Sequence, residues 1–312
     1  MSMREIDIMI KNGYDLSATL TLPSNSEDKY PVIVMIHGSG PVDRDENAKR
    51  LKINAFKEFA TFLTGEGYAT LRYDKRGIGE SKGDYYKTGY YDLIDDAVDA
   101  VNFAKSHESI DEERIYLLAH SEGCLVSPVV HTRTTVQGMI LLSPSAEPLA
   151  ETTAWQRSQM KEDMQTLSGF QGWLLRFIKA DKKLDKMNDK MTRKIKSTDA
   201  PTIRYNGQKI NAKWNREHEK FDVREYLKKV ECPVIAITGS KDVQVKKEQV
   251  KDVCLLVKGE CEHYIVDDLT HVLRKTKVEH RFSSIINDYK KQVKHPIDSE
   301  LMKLVSEWLK KR

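Results

Sequence analysis

The chain has 312 residues, 51 Lys and Arg against 47 Asp and Glu, and a formal net charge of +4; it is 39% hydrophobic and 31% charged. So small a charge on so long a chain argues against nucleic acid as a partner, and with no apolar run near 18 residues no membrane span is expected. The length exceeds the common single-domain size, which predicts one large core carrying an elaboration.

The opening stretch MSMREIDIMIKNG is charged and lacks the apolar centre of a signal peptide, and the four cysteines (Cys124, Cys232, Cys254, Cys261) show no CxxC spacing. Together these predict a cytoplasmic protein with reduced thiols. EIDIMI and LSATLTL flank the turn KNGYD and predict an antiparallel hairpin. PVIVMIH (31 to 37), YATLRYD (68 to 74), RIYLLAH (114 to 120), GMILLS (138 to 143) and PVIAITG (233 to 239) then follow as short apolar runs rich in β-branched residues. Continuous apolar runs suit strands covered on both faces. NAFKEFATFLTGEG and YDLIDDAVDAVNFAKSH, which separate some of them, have helical periodicity, so the fold class is α/β with a doubly wound, mostly parallel sheet.

Residues 147–220 break this rhythm, with no strand-like run and an abundance of Lys, Met, Trp and Asp. Over 151–220 there are 16 Lys and Arg against 9 Asp and Glu, a local excess of +7 that serves either hydration of a helical insertion or a basic substrate-facing surface. The predicted domains are a core of 1–146 with 221–312 and a helical cap of 147–220. EQVKDVCLLVKG reads as a helix, EHYIVDD as the last strand, and PIDSELMKLVSEWLKK as a closing helix with one apolar stripe.

Ser121 lies in LLAHSEGCLV, between the run RIYLLA and a segment able to begin a helix. Ala119-His120-Ser121-Glu122-Gly123 matches the G-x-S-x-G turn except at its first position. A hydroxyl on such a turn stands clear of the sheet beside the positive end of a helix. It needs a base, and the base needs an orienting acid, in the chain order Ser, acid, His. Asp242 in ITGSKDVQV and His271 in DDLTHVLRK both follow strands, where loops gather at the carboxyl edge of the sheet. Asp267 and Asp268 compete as the acid, and His263 and His280 as the base. His37-Gly38-Ser39-Gly40 can aim the Ser39 amide at the site, where with the Glu122 amide it forms a two-donor oxyanion hole. The motifs GxxxxGK[ST], GxGxxG and HExxH are absent, so neither cofactor nor metal is expected.

Taken together, HGSGPVDRD, RYDKRGIGES, AHSEG, CPVIAITGSKDVQV and LTHVL make the chain, from about residue 30 onward, resemble a bacterial α/β-hydrolase of the serine carboxylesterase type. HGSGP-x-DRD and KWNREHEKFDVREYLKKVECPV narrow the resemblance to a carboxylesterase-like subgroup related to dienelactone-hydrolase-type enzymes. The resemblance implies Ser121, Asp242 and His271 as nucleophile, acid and base, Ser39 and Glu122 as oxyanion amides, a small-molecule ester as substrate, and 147–220 as a cap; thioester or amide hydrolysis and acyl transfer use the same triad and stay open, as does a non-catalytic ligand-binding role of the same fold. It departs from the pattern at Ala119 and Thr270. Asp43-Arg44-Asp45 and Asp74-Lys75-Arg76-Gly77 read as loop-forming segments. His37, Gly38, Trp173 and Trp214 are candidate substrate contacts, the tryptophans serving either an acyl pocket or packing of the cap.

Overall fold

The computed structural model describes residues 3–24, 28–166, 180–279, 281–282 and 284–312. Strands β1 (Met3–Asn12) and β2 (Tyr14–Pro23) form the expected hairpin, turning at Gly13 with φ of +83°. There follow β3 (Tyr30–Ile36), the two short strands β4 (Asn47–Ala48) and β5 (Leu51–Lys52), α1 (Ala55–Gly65), β6 (Ala69–Tyr73), α2 (Tyr90–Ser106), β7 (Ile110–His120), α3 (Gly123–Arg133) and β8 (Gly138–Leu142). Next come α4 (Leu149–Thr166), α5 (Ala180–Lys196), the hairpin β9 (Thr202–Tyr205) and β10 (Gln208–Asn211), α6 (Ala212–Lys220) and the single turn α7 (Arg224–Leu227). The chain finishes with β11 (Val234–Gly239), α8 (Gln249–Leu256), β12 (Cys261–Val266), α9 (Ile285–Gln292) and α10 (Ser299–Leu309).

The main sheet has eight strands in the order β1-β2-β6-β3-β7-β8-β11-β12. From β6 to β12 every neighbouring pair is parallel, while β1 and β2 join antiparallel at one edge. Strand β3 shows why its sequence is apolar throughout. Val32, Val34 and Ile36 face one core with α2 and α3, whereas Ile33 and Met35 face the other with Phe56 and Phe59 of α1 and Trp308 of α10. Strands β3, β6, β8 and β11 are buried along their whole length, so the hydrophobic effect fixes them in the middle of the stack. Every parallel strand then delivers its carboxyl end to one edge, and the loops bearing Ser39, Ser121, Asp242 and His271 leave from there.

Two expectations are corrected. The insertion is not purely helical: Thr202–Tyr205 pairs with Gln208–Asn211 across Asn206-Gly207, whose φ values of +48° and +79° are those of a tight hairpin turn. Asn-Gly is a strong hairpin signal, and here it outweighs the polar character of the flanking residues. The four thiols are also not all reduced. Cys254 on α8 and Cys261 at the start of β12 form a disulfide because the helix-to-strand connection brings Cα atoms seven residues apart in sequence to 5.2 Å, while Cys124 and Cys232 are free and buried. Among the described residues no helix is long and apolar enough to cross a membrane.

Candidate active site

Ser121 sits between β7 and α3 with φ of +52°, a left-handed conformation that non-glycine residues seldom adopt. The strain is held by its surroundings. The Ser121 amide donates to the Leu142 carbonyl of β8 at 2.9 Å, and the Cys124 amide donates back to the Ser121 carbonyl at 2.9 Å. A Cβ on Gly123 would run into the Ile36 carbonyl, so only glycine lets α3 start this close to β3. Ala119 in β7 is fully buried, and its methyl group is accommodated where the usual pattern has glycine.

The three residues expected to act together do meet. His271 Nε2 lies 3.0 Å from Ser121 Oγ, and His271 Nδ1 lies 2.8 Å from Asp242 Oδ2. Asp242 Oδ1 accepts from the amides of Gln244 and Val245 at 2.8 and 3.2 Å. Burial works against ionisation of Asp242, but the imidazole and these donors outweigh it and hold its pKa below the ordinary carboxylate value. The competing groups lie elsewhere. Asp268 forms ion pairs with Lys241 and Lys277 that lower its pKa to about 2, Asp267 is exposed, and His263 is exposed on the edge strand β12. His280 falls outside the described residues.

The loop carrying His271 is fixed from beneath. The Thr270 hydroxyl reaches the Arg274 carbonyl at 3.0 Å, and the buried Arg274 donates to the carbonyls of Val272 and Ile53 and pairs with Glu58. Glu122 is the N-cap of α3, so its amide belongs to the unpaired donors at a helix start, next to the Ser121 hydroxyl. Ser39 is exposed on the loop after β3, and a Cβ on its neighbour Gly38 would lie 3.3 Å from Ser121 Cβ.

Three of the expected substrate contacts have polar partners within the protein. His37 is 3% exposed and turned inward, with Nε2 2.5 Å from the Tyr73 carbonyl. Burial first, then the nearby Lys75 ammonium, lowers its pKa to about 4, so it stays neutral. The Gly38 amide donates to Glu46 Oε1 at 2.6 Å and its carbonyl accepts from Lys75 Nζ at 2.5 Å, so neither is offered to a ligand. Trp214 on α6 borders a 740 Å³ cleft, but its indole N–H is committed to Glu122 Oε1 at 2.8 Å. Trp173 lies outside the described residues.

Sequence reasoning missed the polar partners beneath the turn. Glu46 Oε2 is 2.8 Å from His120 Nδ1, an ion-pair contact, and His120 Nε2 donates to the His271 carbonyl at 2.9 Å. Burial disfavours the imidazolium, yet the Glu46 carboxylate outweighs that and raises the His120 pKa, while the Glu46 pKa stays lowered despite its own burial. Glu122 Oε2 pairs with Lys75 at 3.3 Å. The available signal was the charge-rich stretches DRDEN and DKRG in the loops that follow β3 and β6. Among the described residues no cluster of His, Cys, Asp or Glu is placed to hold a metal ion.

Residues 50–276, well over half of the chain and including Ser121, Asp242 and His271, match the family of serine aminopeptidases S33. The chain belongs to this family of α/β hydrolases. Esterase EstD of Thermotoga maritima is 29% identical to it over 274 residues, which cover 87% of this chain and 60% of that protein. The chain therefore spans 60% of the length of this relative. The α/β-hydrolase fold is shared with Est1E of Butyrivibrio proteoclasticus bound to ferulic acid (TM-score 0.59, 20% identity, covering 92% of this chain and 100% of that one). It is shared also with the Pyrococcus furiosus esterase Pf2001 (TM-score 0.60, 19% identity, covering 99% of this chain and 91% of that one). At these identities the two structures speak for the fold of this chain and no further.

Proposed function

We propose that this hydrolase is a carboxylesterase that cleaves small-molecule carboxylic esters through an acyl-enzyme. Its mechanism begins at Ser121, whose hydroxyl attacks the ester carbonyl while His271 Nε2 takes the hydroxyl proton. Asp242 holds the imidazole with Nδ1–H toward it and stabilises the imidazolium that forms. The negative charge on the former carbonyl oxygen is met by the amides of Glu122 and Ser39, each worth about 3 kcal/mol of barrier where such donors have been removed. The imidazolium returns its proton to the departing alcohol. Water, deprotonated by His271, then attacks the acyl-serine and releases the acid, regenerating the hydroxyl.

The observation that carries this reading is the hydrogen-bonded line from Ser121 through His271 to Asp242, 3.0 and 2.8 Å long, on a strained turn. EstD, an esterase by name, supports the ester as substrate. We further propose that residues 147–220 act as a cap, with short to medium acyl chains preferred. The family description favours a second reading, removal of an amino-terminal residue by the same three side chains.

The test is a panel of p-nitrophenyl esters from two to sixteen carbons, with thioesters and aminoacyl p-nitroanilides alongside, measured on the wild type and Ser121→Ala. The expected result is turnover of the esters, abolished by the substitution while the melting temperature holds. Activity surviving in Ser121→Ala overturns the mechanism, and faster cleavage of the anilides moves the substrate to peptides.

A further inference from the structure

Both neighbours of Ser121 are ionisable and buried, and the mechanism above uses neither side chain. His120 reaches Glu46, and Glu46 Oε1 accepts the Gly38 amide at 2.6 Å. Glu122 reaches Lys75, and Lys75 Nζ donates to the Gly38 carbonyl at 2.5 Å. The side chains of His120, Glu46, Lys75 and Glu122 are only 5, 3, 4 and 5% exposed. Two ion pairs so far from water are a poor device for stability alone, since desolvation offsets much of their attraction. Both arms end on the same residue, one on each side of its Cα.

A peptide unit is planar, so the Gly38 carbonyl and the Ser39 amide point in opposite directions from one rigid plate. A cation fixed on the carbonyl therefore sets the direction of the amide. It also draws electron density toward the carbonyl oxygen, which strengthens the amide as a donor. Glu122 anchors that cation and supplies the second amide of the oxyanion pair from its own backbone. Trp214 Nε1 donates to the other Glu122 oxygen at 2.8 Å, and His218 Nε2 lies 3.8 Å from it, so α6 closes the arrangement.

We propose that Lys75 is a positioning residue for the oxyanion hole: held by Glu122, it aims and polarises the Ser39 amide, while Glu46, held by His120, fixes the other side of Gly38. The inference rests on the esterase reading and deepens it. The sequence places the parts far apart, at residues 38, 46, 75 and 120 to 122, and only the fold joins them.

The test compares Lys75→Met, Lys75→Gln and the double variant Lys75→Met/Glu122→Gln on a p-nitrophenyl ester, and adds inhibition by a trifluoromethyl ketone, which forms a charged tetrahedral adduct. Lys75→Met is expected to lower kcat on the order of 10- to 100-fold, with KM within about threefold, and to weaken the ketone by the same factor. Lys75→Gln, which keeps an N–H for the Gly38 carbonyl, is expected to recover much of the loss. The double variant removes the unpaired Glu122 charge and is expected to remain slow. Recovery of kcat in the double variant would reduce Lys75 to a counter-ion and overturn the proposal, as would a change confined to KM. Should Lys75→Met fail to fold, the Gln and double variants carry the same decision. An inactive Ser121→Ala beside an unimpaired Lys75→Met sinks this inference alone, whereas an active Ser121→Ala sinks the reading beneath it.

Discussion

The turn at Ser121 and the insertion over 147–220 are both rich in charge, but they use it in opposite ways. Around the turn the paired groups are buried and each bond ends on backbone that shapes the site: Glu46 on the Gly38 amide, Lys75 on the Gly38 carbonyl, His120 on the His271 carbonyl. In the insertion Lys161–Asp185 and Lys196–Glu219 lie in water, with side chains 33 and 44%, and 53 and 40%, exposed. Exposed pairs of this kind contribute about 0–1 kcal/mol, whereas removing one partner of a buried pair costs about 3–5 kcal/mol. The exposed pairs add little to the stability of the insertion, whereas the smaller set of charges under the turn is tied to the backbone of the site.

The proposed division puts chemistry at the turn and substrate choice in the insertion, and it can be broken at either end. The largest effect is expected from Asp242→Asn, which leaves the imidazole without its carboxylate: kcat should fall by about 10⁴ with KM nearly unchanged. Asp268→Asn, which loses its contacts with the partly buried Lys241 and the exposed Lys277, should leave kcat within about twofold, because these groups lie away from the Ser121 hydroxyl and its imidazole. Steady-state kinetics of the two variants on one ester decides the matter, and the reverse order of effects would move the acid to Asp268. A smaller effect is expected in the insertion. Met160, Leu184, Met187, Met191, Ile210 and Phe282 border a 420 Å³ cavity between α4, α5 and the β9–β10 hairpin, and Met187→Trp should fill part of it. If this cavity takes acyl chains, the ester profile shifts toward shorter chains by a few-fold while acetate turnover holds, since a methylene in an apolar pocket is worth roughly 1–3 kcal/mol. An unchanged profile would leave the cavity as packing and remove the division of labour.

The parts of the molecule that could be read from sequence are those whose signal is local. Strands such as PVIVMIH are legible because two-sided burial demands unbroken apolar runs, and Ser121, Asp242 and His271 because each stands a few residues past a strand end. The β9–β10 hairpin was masked by polar flanks, although Asn206-Gly207 announced the turn. The Cys254–Cys261 disulfide has no local signature, since it depends on how α8 packs beside β12. The inward turn of His37 and the commitment of Trp214 to Glu122 are equally products of tertiary placement. Charged loop residues such as Glu46 and Lys75 look solvated in sequence, and only the folded chain shows that their partners are His120 and Glu122.

In the proposed mechanism Ser121, served by His271 and the amides of Glu122 and Ser39, performs the chemistry. The most direct measurement is a crystal structure of the protein after reaction with an ethyl fluorophosphonate. The expected result is a bond from phosphorus to Ser121 Oγ, with the phosphoryl oxygen accepting from the Glu122 and Ser39 amides at about 2.7–3.1 Å. An adduct on another side chain, or a phosphoryl oxygen turned away from both amides, would contradict it.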